Sequence, residues 1–481
     1  MKGINIKNHD WFLTLAIFML LCIGIVVIYS ATFTARTLIE GAGTVNRQLV
    51  FIILGFSVYF LVSQIDTTYL KYIPVQVIIF MITIGLLVYV WIFGDPIRNT
   101  NRWIEWSFIR IQPSEYAKIS LIILNSAILS NIYRLKSKGE VEWGKIRSKK
   151  NIKENLFKIL KDISSFDPIF YYYILSFILS IICIVLVLIE PALGNATLTA
   201  LICFSLFLFS YPNHRYLFGM ILIFILGCNM TGNFFNLGFL YNKLHFSFIF
   251  ENIDILFILI SVIIIFLTIC FLKIKLTTVL ITIITSITLV FSISYVWKNV
   301  LKDYQKRRVE VFFNPEKDPQ GAGWQLRQAK IAIGSGRFFG KGFLQGSQSK
   351  LRYLPEAYSD FIFAAFCEEF GLLGSTFLLS IYIFILIRIL NIAKKANDTF
   401  ESLICFGVAF MILIHVFVNT GMNMGIMPIT GIPLPLVSYG GSSVMVTMIA
   451  LGLVQAISMN RDLIDNQESL VITSKSFIYD D

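Results

Sequence analysis

The segment Gly334–Gly371 reads GSGRFFGKGFLQGSQSKLRYLPEAYSDFIFAAFCEEFG. Its first part is polar, basic and rich in glycine, and its last part opens an apolar helix. The two meet at Asp360, a single carboxylate at the mouth of a predicted membrane span. A charge at that depth is costly, so its presence calls for a functional reason. The remainder of the chain supplies the membrane. Of 481 residues, 56% are hydrophobic and only 14% are charged, against about a quarter in soluble domains. The expected architecture is therefore an all-α polytopic membrane protein. The net charge of +11 does not argue for nucleic-acid binding. Basic residues flank membrane helices on the cytoplasmic side and suit anionic head groups.

Twelve apolar segments are long enough to span: 11–33, 47–65, 72–93, 113–133, 168–189, 194–211, 215–231, 253–273, 276–297, 360–391, 402–422 and 437–459. The first, at about 1.5 Å per residue, covers a hydrocarbon core of about 30 Å. It lacks a small-residue cleavage site and is expected to be a retained helix. The run 360–391 is overlong and must tilt or begin in the interface. Loop 134–167 carries ten Lys and Arg residues, which puts it and both termini in the cytoplasm. Loop 298–359 then falls outside. It holds twelve basic residues against Asp303, Glu310, Glu316, Asp318 and Glu356, an excess suited to an anionic ligand such as a pyrophosphate, or to anionic lipid head groups. The whole chain 1–481 is expected to be one membrane domain.

Three further polar islands lie at helix ends. Arg102-Trp103 precedes Gln112-Pro113-Ser114-Glu115-Tyr116-Ala117-Lys118, where Pro113 suits a helix start and Glu115 complements the dipole. Glu115 and Lys118, three apart, share a helix face and are expected to pair. Glu190-Pro191-Ala192-Leu193-Gly194-Asn195 reads as a short turn between spans, with Glu190 expected to snorkel to the interface rather than line a cavity. Met427 to Ser443 holds three prolines and many small residues, so it is a re-entrant or broken stretch that must be buried in protein or line a cavity. In the long loop, glycines with Lys341, Lys350 and Arg352 offer a cradle for phosphate oxygens, though not a Walker sequence. Asp360, after this cradle, is suited to act as a general base. The seven cysteines have no paired spacing and the four histidines are scattered, so no metal motif is visible; a divalent cation is compatible with the sequence.

These islands, in this order, resemble the SEDS family (shape, elongation, division and sporulation proteins), integral-membrane peptidoglycan glycosyltransferases. Gln328 to Gly336, then Gly340-Lys341-Gly342 and Gly346-Ser347-Gln348-Ser349, are more similar to its RodA branch than to its FtsW branch. The resemblance implies that Asp360 is the catalytic aspartate. It also implies that Arg102, Glu115, Lys118, Arg308, Lys341, Gln348 and Ser349 serve the substrate. Two positions depart from the pattern: Ala192 stands where the family usually has Asp, and Arg337 where Gly is common. The family core has ten spans, so region 232–297 is expected to carry an inserted helix pair, with 298–359 as the extracytoplasmic catalytic loop.

The implied activity is polymerisation of lipid II into glycan strands on the outer face of the bacterial inner membrane, for elongation and rod shape. Undecaprenyl pyrophosphate would be the leaving carrier. A class B penicillin-binding protein (a transpeptidase) and the elongation machinery would be partners. The rival is a lipid II flippase, which needs access from both faces; the polar islands cluster on one, which favours the enzyme. No matched pair of broken helices in two halves supports a transporter.

Overall fold

The computed structural model describes residues 8–32, 38–137 apart from 95, 98, 99, 107 and 108, 168–210 apart from 191, and 303–460 apart from 351, 352 and 355. The expected spans 215–231, 253–273 and 276–297, and the bulk of the basic loop 134–167, lie outside these residues. The chain forms two compact units, Met1–Ser210 with Trp324–Asp481, and Tyr211–Gly323.

The first unit is a helical bundle. In order it contains α1 (Trp11–Thr32), α2 (Leu38–Ser63), α3 (Ile73–Phe93), two short hairpins, α4 (Pro113–Ser137), α5 (Pro168–Ile189) and α6 (Leu193–Ser210). The hairpins pair β1 (Pro96–Ile97) with β2 (Thr100–Asn101), and β3 (Ile104–Trp106) with β4 (Ile109–Ile111), the latter with Glu105 opposite Arg110. In the second unit, α7 (Asp303–Phe313) precedes a 3-10 turn, Pro315–Lys317. There the Asp318 carboxylate accepts from Arg307 at 3.1 Å and from the Ala322 amide at 3.0 Å. The chain continues through α8 (Ala322–Gly336), a single turn α9 (Ser347–Lys350), α10 (Ile362–Lys394), α11 (Thr399–Met424) and α12 (Gly441–Asn460).

Among the described residues eight helices are long and apolar enough to cross a membrane. They are α1, α2, α3, α5, α6, α10, α11 and α12. The chain is a multi-pass membrane protein. Helix α4, expected as a span, is not among these eight, and it sits against α3, α5, α6 and α11. Its buried Asn125 shows how such a helix is tolerated. The amide donates to Ser180 Oγ at 3.0 Å, and its oxygen accepts from Ser176 Oγ at 2.5 Å. Buried polar groups cost little when they are hydrogen-bonded.

The overlong run divides. Inside α10, Gly371 leaves helical geometry at φ 65°, ψ −160°. Between α11 and α12 the chain is irregular, and Ile432, Leu434, Leu436, Val437 and Ser438 are buried there. Side chains of the surrounding helices and of the stretch itself satisfy this backbone. Asn419 Nδ2 donates to Ile432 O at 2.7 Å and the Tyr382 hydroxyl to Pro435 O, while the Leu434 amide donates to Ser438 Oγ at 2.8 Å. Irregular backbone at membrane depth requires such burial in protein.

Candidate active site

Pro113 starts α4, and the residues leading into it are tied to α12: Ser442 Oγ donates to Arg110 O at 2.8 Å and accepts from the Gln112 amide at 3.1 Å. That places Glu115 and Lys118 on the inner face. Their predicted pair forms, with Lys118 Nζ 2.8 Å from Glu115 Oε2. Lys118 is fully buried and Glu115 is 4% exposed. Two partners come from other helices. Asn195 of α6 offers Oδ1 at 3.5 Å, and its amide nitrogen donates to Ser114 Oγ at 3.0 Å. His415 of α11 places Nε2 at 2.9 Å from Lys118 Nζ and Nδ1 at 2.7 Å from Met411 O. A carbonyl only accepts, so the network assigns the imidazole proton to Nδ1 and leaves Nε2 as the acceptor for Lys118. The ammonium therefore has three acceptors, and a buried charge is tolerated when it is so matched.

Asp360 closes a turn that begins at Glu356, itself at φ 56°. The amides of Ser359 and Phe361 donate to Glu356 O at 3.1 and 3.3 Å, and the buried Phe361 ring anchors the turn ahead of α10. Two asparagines of α11 grip the Asp360 carbonyl, Asn419 Nδ2 at 3.0 Å and Asn423 Nδ2 at 3.2 Å. Asn423 Oδ1 also accepts from the Ala364 amide at 3.1 Å. On the other side Ser438 Oγ donates to Ser359 O at 2.6 Å, and the Tyr439 amide to Tyr358 O at 3.0 Å. The backbone of residue 360 is thus fixed by α11 and by the irregular stretch, while Asp360 itself stays partly exposed. His415, Asn419 and Asn423 recur every fourth residue and form one stripe on α11. This stripe joins the Lys118 cluster to the Asp360 turn.

The other expected site residues are placed separately. Lys341 Nζ lies 2.6 Å from Glu368 Oε1, whose side chain is fully buried, and 2.8 Å from Ser347 Oγ. The amides of Ser347 and Gln348 donate to the same carboxylate at 2.8 and 3.2 Å. Lys341, expected on phosphate, is therefore engaged by a carboxylate that caps α9. Ser349 and Lys350 belong to α9, but their side chains, like Arg352, lie outside the described residues. Arg308 is partly buried in α7 of the second unit.

Arg102 follows β2, and its charge faces Glu190. Glu190 does not snorkel: it is 1% exposed, in the turn between α5 and α6. Neither of its carboxylate oxygens has a hydrogen-bond partner among the described residues. Burial pushes its pKa up to about 8, with Arg102 opposing the shift. The reason is steric: the turn is short, and Ala192 behind it packs into the α3–α4–α5–α6 core. Among the described residues no group of three or more His, Cys, Asp or Glu is placed to hold a metal ion.

A bundle of membrane helices with a matched buried cation, a polar stripe on α11 and a gripped aspartate at a helix mouth defines a polytopic membrane protein. The model of the FtsW/RodA/SpoVE cell cycle proteins matches residues 11–235 and 253–463, and the chain belongs to that family. The peptidoglycan glycosyltransferase RodA of Treponema pallidum is 30% identical over 94% of this chain and 98% of its own length. MrdB of Escherichia coli K12, also named a peptidoglycan glycosyltransferase, is 47% identical over 172 residues, which is 36% of this chain. The chain covers 46% of that relative's length. Two solved structures share the fold. One is a chain from a study of polymerization and crosslinking by a peptidoglycan synthase complex, with TM-score 0.59, 21% identity and coverage of 94% and 98%. The other is Thermus thermophilus RodA, with TM-score 0.51, 19% identity and coverage of 94% and 97%.

Proposed function

We propose that this protein is a peptidoglycan glycosyltransferase that polymerises lipid II on the outer face of the bacterial inner membrane, serving elongation. Both termini and loop 134–167 are cytoplasmic in this reading, and 298–359 is the catalytic loop. Asp360 takes the proton of the acceptor 4-hydroxyl as its oxygen attacks the anomeric carbon of the donor strand, with inversion. The bond to undecaprenyl pyrophosphate breaks, and the electron pair leaves with the pyrophosphate. Neutralising that leaving group is a large part of the work in such reactions. Arg102 contributes positive charge to it. Gln348 and Ser349 contact the substrate from α9, which Lys341 and Glu368 hold in place. Lys118 and Glu115 support the site through His415 on the α11 stripe. A class B penicillin-binding protein is the transpeptidase partner.

The observation that carries this reading is the treatment of residue 360. Three side chains, Asn419, Asn423 and Ser438, are spent on fixing its turn, while the carboxylate-bearing residue remains partly exposed. A general base needs that combination of fixed position and access. The test is synthesis of glycan from lipid II by the purified protein, alone and with its transpeptidase. Asp360→Asn is expected to lower the rate about 10²–10⁴-fold while eluting and melting as the parent does. A well-folded Asp360→Asn protein with near-parental synthesis would remove Asp360 from the mechanism.

A further inference from the structure

The stretch Arg337–Phe343 is spliced into α10 by backbone hydrogen bonds. The amides of Lys341 and Gly342 donate to Glu368 O and Glu369 O at 2.9 and 3.0 Å, and those of Leu372 and Leu373 donate to Arg337 O and Phe338 O at 3.0 and 3.1 Å. The break at Gly371 makes room: a Cβ there would lie 2.3 Å from the Gly340 amide nitrogen, and one on Gly340 2.1 Å from Glu369 O. The height of the loop along α10 is therefore fixed. From Leu372 to Lys394 the helix runs about 34 Å, close to a hydrocarbon core of about 30 Å, and it ends at the basic pair Lys394 and Lys395. Its outward apolar face begins at Leu372 and Leu373, 53% and 47% exposed. These are the residues bonded to the loop.

The loop thus stands level with the edge of the hydrocarbon layer, on the Asp360 side. Three aromatic rings project from it, Phe338, Phe339 and Phe343, with Phe339 77% exposed. Arg337 is exposed beside them at φ 49°. Aromatic rings with a cation suit the head-group boundary, where apolar groups enter the upper chains and the guanidinium meets phosphate. We propose that Arg337–Phe343 is a membrane-interface anchor. Its phenylalanines enter the bilayer boundary, Arg337 binds the phosphate of an anionic phospholipid, and together they set the height of the turn bearing Asp360.

The inference rests on the membrane fold and not on glycosyl transfer, so either can fail alone. The experiment places p-benzoylphenylalanine at position 339 of the full chain. The protein is reconstituted in vesicles of phosphatidylcholine with a minority of phosphatidylglycerol, together with the transpeptidase, and irradiated. The expected product is a phospholipid adduct, enriched in phosphatidylglycerol about five-fold over its mole fraction, as one cation at a lipid surface supplies. Arg337→Asn, a residue that tolerates positive φ, should return that ratio to the mole fraction. Adducts to the transpeptidase, or none at all, would overturn the anchor. Enrichment that survives Arg337→Asn would overturn the phosphate contact.

Discussion

Glu115 and Glu190 sit at the ends of neighbouring helices, and both are almost wholly buried, yet they are held in opposite ways. Glu115 has a cation one helical turn away, and Lys118 in turn reaches Asn195 and His415. The Glu190 carboxylate has no hydrogen-bond partner among the described residues, and the charge of Arg102 faces it. The difference shows that burial does not decide the role of a membrane carboxylate; company does. A matched carboxylate is kept as part of a rigid network. An unmatched one is pushed toward its neutral form by desolvation.

The strongest way to break the contrast is to remove the cation. Lys118→Met should leave Glu115 buried and uncompensated, at a cost of about 3–5 kcal/mol, read as a lower melting temperature in detergent and loss of glycan synthesis. Glu115→Gln should cost less, since a neutral amide remains. The double variant Glu115→Gln with Lys118→Met should lose clearly less than the sum of the two. Strict additivity would mean that the two act separately, and Glu115 would then belong beside Asp360 among residues that touch substrate.

A smaller effect tests the third member. His415→Leu removes an acceptor from a buried ammonium, a loss of about 1–3 kcal/mol. His415→Gln keeps an oxygen near the position of Nε2 and should recover much of that stability and most of the synthesis rate. Equal damage from both variants would reduce His415 to a packing residue.

His415 also marks where the sequence stops being legible. The pair Glu115–Lys118 follows from spacing, because a helix brings residues three apart together. Asp360 stood out as a lone carboxylate before an apolar run. Among the described residues, eight of the twelve expected spans follow from length and apolar composition. The Lys118–His415 contact crosses 297 positions, and no local pattern encodes a distance of that kind. Even so, His415, Asn419 and Asn423 at every fourth position of an apolar helix form a polar stripe, and that signal was present. Glu368 carried a weaker one: Glu368 and Glu369 in a membrane segment had to find partners, but nothing nearby identified Lys341 and the α9 amides. The break at Gly371 was hidden because glycine is also common in unbroken membrane helices. Its need appears only once the loop backbone is seen against it.

The mildest perturbation is of pH, and it acts on Glu190. Its folded pKa, pushed up to about 8, lies above the ordinary carboxylate range. Between these values the folded state binds the proton and the unfolded state does not. Stability is therefore fully present below the unfolded pKa, and it falls as pH rises through the folded one. Each pH unit in that window is worth about 1.4 kcal/mol at most, so the step from about pH 7 to about pH 8 should cost on the order of 1 kcal/mol. Glu190→Gln mimics the protonated acid and should flatten that part of the profile, matching the parent below about pH 4 and melting above it at higher pH. Melting curves of both proteins across the window measure it. A parent profile that is flat, or one whose slope survives Glu190→Gln, would mean that the carboxylate is ionised in the folded protein and has found an anion-stabilising partner.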